Sequence, residues 1–375
     1  MTGQMSLFDY IDQSGNINLS LPYTAPPKKK VGNYVIGCGT QCLGCDYPIH
    51  FDTYTGCSHL CEYCFANEKP DKNIVMPCNG AINALKLFIQ GKRTSETRFC
   101  DWNIPIHWGA TSDPFQPIER TEKKSLECLE LLAETKYPFI VSTKGTLIAE
   151  EPYLSLIGEC NCVVQISAAC AEYDALESGA PTFAERMRAV EKLSKKARLN
   201  IRIQPYLPLF YREIMDSIKA FTDCGAYGII IEGLSVRRKT KRIGDMEWNG
   251  SRFQYPIEVL AEDFKAIRDE AHKCGLKFFC GETRLQYLGD DLTCCGTMGL
   301  GGFTPNKYNL AHMAYDDTAP IPTEQMKQPK TARPFRSFRQ TTEWSRYIRD
   351  KSFAEMMEDN EDFVEWLKEL KGGYE

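Results

Sequence analysis

The sequence predicts an α/β fold built on a parallel sheet, arranged either as an open doubly wound sheet or as a full or partial barrel. Short apolar runs, often β-branched, recur along the chain, and amphipathic helical stretches separate them. Strand–helix units repeated in this way form parallel sheets. Several polar segments follow directly after predicted strands, where barrels of this class carry their chemistry. The composition, with 43% hydrophobic and 25% charged residues in 375, is ordinary for a globular protein.

The predicted strands are apolar and short enough to be buried in a parallel sheet. In chain order they lie around His50–Tyr54, then at Ile104–Trp108, Phe139–Ser142, Cys162–Ser167, Leu199–Gln204, Gly228–Ile231 and Leu276–Phe279. The stretches between them have helical spacing of apolar positions. These predicted helices are Ala81–Gln90, Glu119–Glu134, Thr182–Lys195, Tyr211–Cys224 and Ile257–Cys274. The chain therefore holds six or seven units, which fits a full or partial barrel.

Composition divides the chain into four predicted segments. Residues 1–30 form an arm with little to bury, and residues 31–50 carry a first cysteine loop. Residues 51–300 make the barrel, and residues 301–375 are an extension with a predicted helix near Ser352–Leu370. We find neither a run of eighteen apolar residues nor a signal peptide, so we expect a cytoplasmic protein with no membrane partner. The net charge of -5 argues against a generally basic nucleic-acid-binding coat, although local basic patches remain possible.

Cysteine usage points to metal. The chain has seventeen cysteines, which a reducing compartment does not pair as disulfides. One spacing occurs twice, as Cys38-x3-Cys42-x2-Cys45 and as Cys57-x3-Cys61-x2-Cys64. Three thiolates in so short a loop can hold three irons of a [4Fe-4S] cluster and leave the fourth iron open. The alternatives for the second loop are a zinc knuckle and an electron-transfer cluster. Zinc would need a fourth ligand, and His59 inside the loop is badly placed to supply it.

The second loop, Gly56–Phe65 (GCSHLCEYCF), resembles that of radical SAM enzymes, in which an aromatic residue, here Tyr63, precedes the third cysteine. Further stretches resemble the spore photoproduct lyase-like branch of that superfamily, often labelled DNA-repair photolyases. They are Thr111–Glu119 (TSDPFQPIE), Ser142–Lys144 (STK), Gln165–Ser167 (QIS), Leu176–Pro181 (LESGAP) with Glu185–Arg186, and Arg202–Pro208 (RIQPYLP). The resemblance implies a partial (β/α)6-type TIM barrel whose [4Fe-4S] cluster, on Cys57, Cys61 and Cys64, binds S-adenosylmethionine. A reductant such as flavodoxin or ferredoxin would then drive cleavage to a 5′-deoxyadenosyl radical.

The resemblance also implies residues that bind S-adenosylmethionine. The loop after the second strand, with Ala110, Thr111, Ser112 and Asp113, would contact the methionine amino group. Ser142, Lys144 and Ser167 would contact the ribose hydroxyls and the carboxylate, for which Arg186 and Arg202 are further candidates. Strand-end hydroxyls also cap helices, and an arginine at a helix start can simply be solvated, so structural roles are the alternative. Cys170 and Tyr206 are candidates for donating a hydrogen atom to a substrate radical, with packing as the alternative for Cys170.

The first cysteine loop lacks the aromatic residue and precedes the first barrel strand, so we interpret it as an auxiliary metal site. Cys280, Cys294 and Cys295, which follow the last predicted strand, are candidates for its fourth ligand. A second [4Fe-4S] cluster, a structural zinc and a set of free thiols remain open.

The resemblance implies a nucleic acid or nucleotide as the substrate, for repair or modification. Arg237–Arg242 and Arg333–Arg339 are basic segments that suit single-stranded or damaged DNA or RNA, although solvated loops have the same composition. Gln4–Phe8 resembles the peptide that docks bacterial DNA enzymes onto the sliding clamp. A radical SAM enzyme acting on a peptide or small metabolite, and a non-catalytic iron–sulfur or electron-transfer protein, are the alternatives.

Overall fold

The computed structural model describes residues 36–38, 44–68, 72–94, 97, 102–237, 240–249, 252–307, 309–316 and 361–374. Three predictions lie outside these residues, namely the 1–30 arm with its Gln4–Phe8 motif, the ligand role of Cys42 and the Arg333–Arg339 segment.

Thirteen strands are found in the described part of the chain, and they are numbered here in chain order. They are β1 (Ile36–Cys38), β2 (Ile49–Phe51), β3 (Tyr54–Thr55), β4 (Met76–Pro77), β5 (Ile106–Trp108), β6 (Phe139–Thr143), β7 (Cys162–Ser167), β8 (Arg198–Tyr206), β9 (Gly228–Gly233), β10 (Ser235–Val236), β11 (Glu247–Trp248), β12 (Phe253–Gln254) and β13 (Lys277–Cys280).

The α-helices in the described residues follow the strands in the order expected for strand–helix units. They are α1 (Ala81–Ile89), α2 (Glu119–Glu122), α3 (Lys124–Thr135), α4 (Tyr153–Glu159), α5 (Phe183–Leu193), α6 (Tyr211–Asp223), α7 (Ile257–Lys273), α8 (Leu310–Tyr315) and α9 (Glu361–Tyr374). Within the described residues, none of these helices is long and apolar enough to cross a bilayer.

The main sheet has eight strands in the order β1-β2-β5-β6-β7-β8-β9-β13. The β1–β2 pair is antiparallel, whereas the other neighbours pair in parallel. Because β1 and β13 remain as edges, the sheet is an open barrel, and the predicted α/β class with a partial barrel is confirmed. The carboxyl ends of the seven parallel strands meet at one end, where functional residues of such folds gather.

One predicted helix is two helices. The stretch over Glu119–Glu134 breaks at Lys123, whose φ of +53° is left-handed, and α3 begins at the next residue. The buried Glu119 carboxylate explains the break, because it accepts hydrogen bonds from the backbone N–H groups of Ser125 (2.9 Å) and Leu126 (2.8 Å). A carboxylate at this position satisfies the free donors of the first turn of α3.

The two faces of β8 show how the barrel divides apolar from polar side chains. Leu199, Ile201 and Ile203 are buried in the main apolar core with the helices. Alternate residues of a strand point to opposite faces, so Asn200, Arg202 and Gln204 point into the barrel. The barrel interior beside β8 is therefore polar. A barrel whose interior serves only for packing is filled with apolar side chains instead.

Candidate active site

The second cysteine loop begins directly after β3, at the carboxyl end of the first parallel strand, β2. Cys61 is buried, while Cys57 and Cys64 are half-buried. Burial, together with the nearby Asp113 carboxylate, raises the pKa of the Cys57 thiol to about 12. Such a thiol is protonated at neutral pH. It becomes a thiolate, the form that binds metals, when a metal ion or another cationic group binds it.

Gln116 fixes the backbone on both sides of Cys57. Its fully buried side-chain amide accepts from the Ser58 N–H at 3.0 Å and donates to the Gly56 carbonyl oxygen at 3.3 Å. Gly56 has a φ of +70°, and a Cβ there would lie 2.3 Å from the carbonyl oxygen of Ile74. The position of Cys57 is therefore set by a bidentate amide and by a close backbone approach that only glycine allows.

Asp113 joins the loop after β5 to the cysteine loop. Its Oδ2 lies 3.0 Å from His59 Nε2, and both side chains are buried. It also accepts hydrogen bonds from the Thr143 hydroxyl (2.6 Å) and from the Lys144 backbone N–H (2.7 Å). Burial raises the pKa of Asp113, but His59 and these hydrogen bonds outweigh it and lower that pKa to about 2. Asp113 is therefore an ionised link between β5, β6 and the cysteine loop.

Other polar residues attach the loop after β5 to Asp52 and to β3. Asp52 accepts hydrogen bonds from the Thr111 hydroxyl (2.6 Å) and from the Thr111 and Ser112 N–H groups (3.2 Å each). The Ser112 hydroxyl donates to the Tyr54 carbonyl oxygen at 2.7 Å. Ala110 is half-buried in the same loop. The side chains of Thr111 and Ser112 thus have partners inside the protein, which leaves the loop backbone for contact with a ligand.

The loop after β7 holds the cysteine loop from the opposite side. The Glu62 N–H donates to the Leu176 carbonyl oxygen at 2.9 Å, and the Gly179 N–H donates to the His59 carbonyl oxygen at 3.0 Å. A Cβ on Gly179 would lie 2.0 Å from the Ser58 carbonyl oxygen. The two loops are therefore in backbone contact, and a side chain at position 179 would separate them.

A buried group of charges lies in the same place. Glu177 is bonded to the Tyr63 hydroxyl, and its Oε2 lies 2.5 Å from Arg186 Nη1. Arg186 also donates to the Ser167 carbonyl oxygen (2.7 Å) and to Asp174 (2.9 Å). Arg186, a sequence-predicted ligand of a carboxylate, thus has internal acceptors, and its contact with Ser167 is with the backbone of that residue.

Ser142 and Arg202 belong to a chain of hydrogen bonds across the barrel interior. His107 Nε2 lies 2.7 Å from Ser142 Oγ, which donates to Gln165 Oε1 at 2.8 Å. Arg202 donates to the same amide oxygen, and the amide nitrogen donates to the Cys295 carbonyl oxygen at 3.2 Å. Burial lowers the pKa of His107 well below its ordinary value, so the ring is neutral and Nε2 is its donor to Ser142.

Glu232 marks the far wall of the interior, on β9. Gln204 Nε2 donates to its carboxylate, and Gln204 Oε1 is buried without a hydrogen-bond partner. Burial raises the pKa of Glu232 to about 7, and it outweighs the lowering effect of the Arg202 cation, while Glu282 adds a smaller raising effect. An unpartnered buried amide oxygen in a polar interior fits a bound ligand that carries N–H or O–H groups.

The two candidate hydrogen-atom donors, Cys170 and Tyr206, are both buried. Cys170 is 1% exposed in the main apolar core, and burial raises its pKa to about 12. Tyr206 donates from its hydroxyl to Asp263 Oδ2 of α7 at 2.6 Å, and its ring packs on Phe264 at 5.3 Å. Tyr206 therefore faces the helix side of the sheet.

The first cysteine loop and the late cysteines are brought together by Asp46. This fully buried carboxylate accepts from the Cys294 N–H at 2.8 Å and lies 2.7 Å from His312 Nε2. Cys294 Sγ and Cys295 Sγ are 3.7 Å apart, and the charge of Cys45 affects the Cys294 thiol. Cys280 lies against the Glu282 carbonyl oxygen instead (3.7 Å).

The side chain of Cys38, at the end of β1, is outside the described side chains, as is all of Cys42. Among the described residues, no three His, Cys, Asp or Glu side chains are arranged to hold a single metal ion. In an iron–sulfur cluster the cysteines bind separate irons, so the single-ion arrangement is not the one that the cysteine loops would adopt.

The basic segment after β10 reaches the cysteine loop. Lys241 Nζ lies 2.7 Å from Glu62 Oε2, between the second and third cysteines, although both side chains are largely exposed. The Arg242 guanidinium stacks 4.5 Å from the Phe253 ring centroid. Arg238 and Lys239 lie outside the described residues.

Sequence reasoning missed the residues that hold the cysteine loop, namely Asp52, His59, Gln116, Glu177 and Gly179. Most of them lie in the quoted family stretches or in the cysteine loop itself, so the signal was present. Their bracing role could not be predicted, because hydrogen bonds between loops far apart in the sequence have no local pattern.

No family model matches the chain, whereas curated proteins and solved structures do. Uncharacterized proteins of Mycobacterium tuberculosis (strain ATCC 25618 / H37Rv) and Mycobacterium bovis (strain ATCC BAA-935 / AF2122/97) are each 28% identical over 204 residues, which cover 50% of this chain. The matched part covers 59% of those relatives, so the chain spans less than two thirds of their length.

Two solved structures of spore photoproduct lyase each have a TM-score of 0.50 and cover 63% of this chain and 76% of the lyase. One, with dinucleoside spore photoproduct, is 15% identical. The other, a double mutant with bound AdoMet and dinucleoside spore photoproduct, is 14% identical. The chain therefore has a fold like that of spore photoproduct lyase.

Proposed function

We propose that the protein is a radical SAM enzyme whose cluster is held by Cys57, Cys61 and Cys64. The observation that carries this function is the position of the loop. It lies at the carboxyl ends of the barrel strands, is braced by the loops after β5 and β7, and borders a polar interior. A [4Fe-4S] cluster on these thiolates, reduced by a flavodoxin- or ferredoxin-like protein, supplies the electron that cleaves S-adenosylmethionine to a 5′-deoxyadenosyl radical.

The residues present fit such a cluster. Three cysteines lie on one short loop that is held by backbone hydrogen bonds rather than by the thiols themselves. A cluster that binds three protein thiolates keeps one iron for another ligand. The polar interior beside the loop contains donors and acceptors for that ligand, including the unpartnered amide oxygen of Gln204.

Lys144 is our first candidate for the carboxylate of S-adenosylmethionine. Its ammonium lies 3.6 Å from Glu177 Oε1 and 5.6 Å from the Tyr63 ring centroid, which places it next to the cysteine loop. Arg202 and Ser142 point into the interior, where they can bind ribose hydroxyls or the carboxylate. Asp113, Thr111 and Arg186 hold loops in place through internal hydrogen bonds. The backbone around Ala110 is the part of the loop after β5 that binds the amino group of S-adenosylmethionine.

We further propose an auxiliary metal site formed by Cys38, Cys42 and Cys45 with Cys294 or Cys295. The hydrogen bond from Cys294 N–H to Asp46 supports it, because it joins the two cysteine-bearing segments across more than two hundred residues. A second [4Fe-4S] cluster is our first choice and zinc the second. Cys280, which lies against Glu282, is the weaker candidate for the closing ligand.

A nucleic acid or nucleotide is the substrate that we favour. A lyase of the same fold has been solved with a dinucleoside photoproduct, and Arg237–Arg242 reaches the cysteine loop through Lys241. A peptide or small metabolite is the second candidate, because the interior offers the carboxylates of Glu232 and Glu282 to a substrate with N–H groups. A sliding-clamp contact through Gln4–Phe8 and a cytoplasmic location complete the proposal.

Cluster spectroscopy tests the function. The anaerobically reconstituted and reduced protein should give a [4Fe-4S] electron paramagnetic resonance signal that changes on addition of S-adenosylmethionine. An unchanged signal would mean that no iron is open to the cofactor, and the protein would then be an iron–sulfur binding or electron-transfer protein.

Binding of single-stranded DNA tests the substrate. We expect salt-sensitive binding that is lost when Lys241 and Arg242 are neutralised, and absence of binding at low salt would favour a small molecule.

A further inference from the structure

Glu177 lies at the centre of the buried charges beneath the cysteine loop. Its side chain is 3% exposed and contacts groups from three different elements. These groups are the Tyr63 hydroxyl of the cysteine loop, Lys144 at the end of β6, and Arg186 of α5. A buried carboxylate with this many donors is an anchor for the side chains around it, because each of them would otherwise lose its partner.

Lys144 is the charge that matters most for the loop. Its side chain is 13% exposed, and it lies over the Tyr63 ring while pairing with Glu177. The buried Glu177 carboxylate, 3.6 Å away, favours the charged form of Lys144, so the side chain is an ammonium. Glu177 therefore keeps a cation next to the Tyr63 side chain of the cysteine loop.

The Lys144 ammonium is a cation that lies over the cysteine loop. Lys144 and Arg186 are nearly buried cations and Glu177 and Asp113 are buried carboxylates, so these charges balance in number and the position of each one decides its effect. Asp174, the second partner of Arg186, is 31% exposed and is screened by water. A positive charge in a region of low dielectric constant stabilises a nearby group that gains negative charge. Reduction of a cluster adds one negative charge to it.

We propose that Glu177 is a positioning residue of the radical site: it holds the Lys144 ammonium over the Tyr63 ring of the cysteine loop and so sets the reduction potential of the cluster on this loop. The inference rests on the proposed function, since it requires a cluster on Cys57, Cys61 and Cys64. It assigns to Glu177 a part in electron transfer that does not require contact with the cofactor. It also explains why Lys144 is available to an incoming carboxylate with its charge already in place.

Potentiometric titration of the reconstituted cluster, without S-adenosylmethionine and with dithionite as the reductant, tests the proposal. Lys144→Met removes the positive charge and should shift the midpoint potential downward. In a Glu177→Gln background, where the anion that holds the ammonium is gone, the same Lys144→Met change should shift the potential by much less. Glu172→Gln is the matched control, because Glu172 is exposed on the same segment after β7, and its potential should equal that of the wild type.

The outcomes separate the inference from the function on which it rests. If wild-type protein assembles no cluster on the loop, the proposed function fails. If the cluster assembles and responds to S-adenosylmethionine while Lys144→Met keeps the wild-type potential, the role of Glu177 is wrong. An equal downward shift from Lys144→Met in the wild-type and Glu177→Gln backgrounds would also overturn it, because Glu177 would then not hold the ammonium at the loop.

Discussion

His59 and Asp113 form a buried contact that links the cysteine loop to the second parallel strand of the barrel. Nε2 of the ring lies 3.0 Å from the carboxylate, and Nδ1 lies 3.2 Å from the Gly179 carbonyl oxygen. Both ring nitrogens therefore face acceptors from two different loops. The pair explains why a histidine that is badly placed to bind zinc lies inside the cysteine spacing.

Asp113→Asn should loosen the cysteine loop without unfolding the barrel. Taking a charged acceptor away from buried donors costs roughly 1–3 kcal/mol, because the Thr143 hydroxyl and the Lys144 N–H lose an ionised partner. We expect the reconstituted variant to lose iron to a chelator several-fold faster than the wild type. Asp269→Asn, at an exposed aspartate of α7, is the control. Equal rates of iron loss for Asp113→Asn and the wild type would show that the pair does not hold the loop.

Gly179→Ala should have a similar effect through a steric route. The added Cβ would lie 2.0 Å from the Ser58 carbonyl oxygen, so the loop after β7 must move away from the cysteine loop. Overpacking of this kind costs about 1–3 kcal/mol. Gly80→Ala is a matched control, since a Cβ at Gly80 meets nothing within 4 Å. Iron retention by the two variants, measured after anaerobic gel filtration, checks the prediction; full retention by Gly179→Ala would contradict it.

Asp46→Ala should lower the free energy of unfolding of the protein by about 3 kcal/mol or more, because His312 would lose a buried carboxylate partner. The same change removes an acceptor from the Cys294 N–H and from the Asn309 side chain. Urea unfolding of the metal-free protein measures the difference. Asp245→Asn, at an exposed position, should change the stability by less than about 0.5 kcal/mol. A small effect of Asp46→Ala would mean that the segment holding Cys294 does not depend on this carboxylate.

Glu232 should make the stability of the metal-free protein depend on pH. Burial raises its pKa from 4.5 to about 7, so the folded state binds the proton more tightly than the unfolded state does. Its contribution is present below the unfolded pKa and is lost as the pH rises through the folded pKa, a loss of roughly 3 kcal/mol. The difference in unfolding free energy between the wild type and Glu232→Gln, followed from pH 4 to pH 8, should therefore change with this sign. A constant difference would show that Glu232 is not perturbed.

Local sequence patterns predicted the fold well because buried strands and amphipathic helices are local features. Cys162–Ser167 is the strand predicted, and Phe139–Thr143 and Gly228–Gly233 differ from prediction only at their ends. The break at Lys123 was not predictable from the helical pattern, since it depends on a buried carboxylate that caps the next helix. Likewise β10–β12 are two-residue strands that have no periodicity to detect.

The candidate site was predicted in its components but not in its contacts. Cys57, Cys61 and Cys64 follow from spacing, and the strand-end positions of Ser142 and Lys144 follow from the strand assignments. The partners of Asp113 and Arg186 do not, because they come from loops far apart in the sequence. For the same reason, the inward direction of Gln165 and Gln204 emerges only from the pairing of the strands.

Formation of 5′-deoxyadenosine tests the central claim most directly. The reconstituted wild-type protein, reduced with dithionite and given S-adenosylmethionine, should produce it. A Cys57/Cys61/Cys64 triple alanine variant should produce no 5′-deoxyadenosine. A Cys38/Cys42/Cys45 triple alanine variant should still produce 5′-deoxyadenosine, and it should lose about four irons if its loop holds a [4Fe-4S] cluster. Product from the first variant, or none from a wild-type protein that carries its full complement of iron, would contradict the assignment of the second cysteine loop as the radical site.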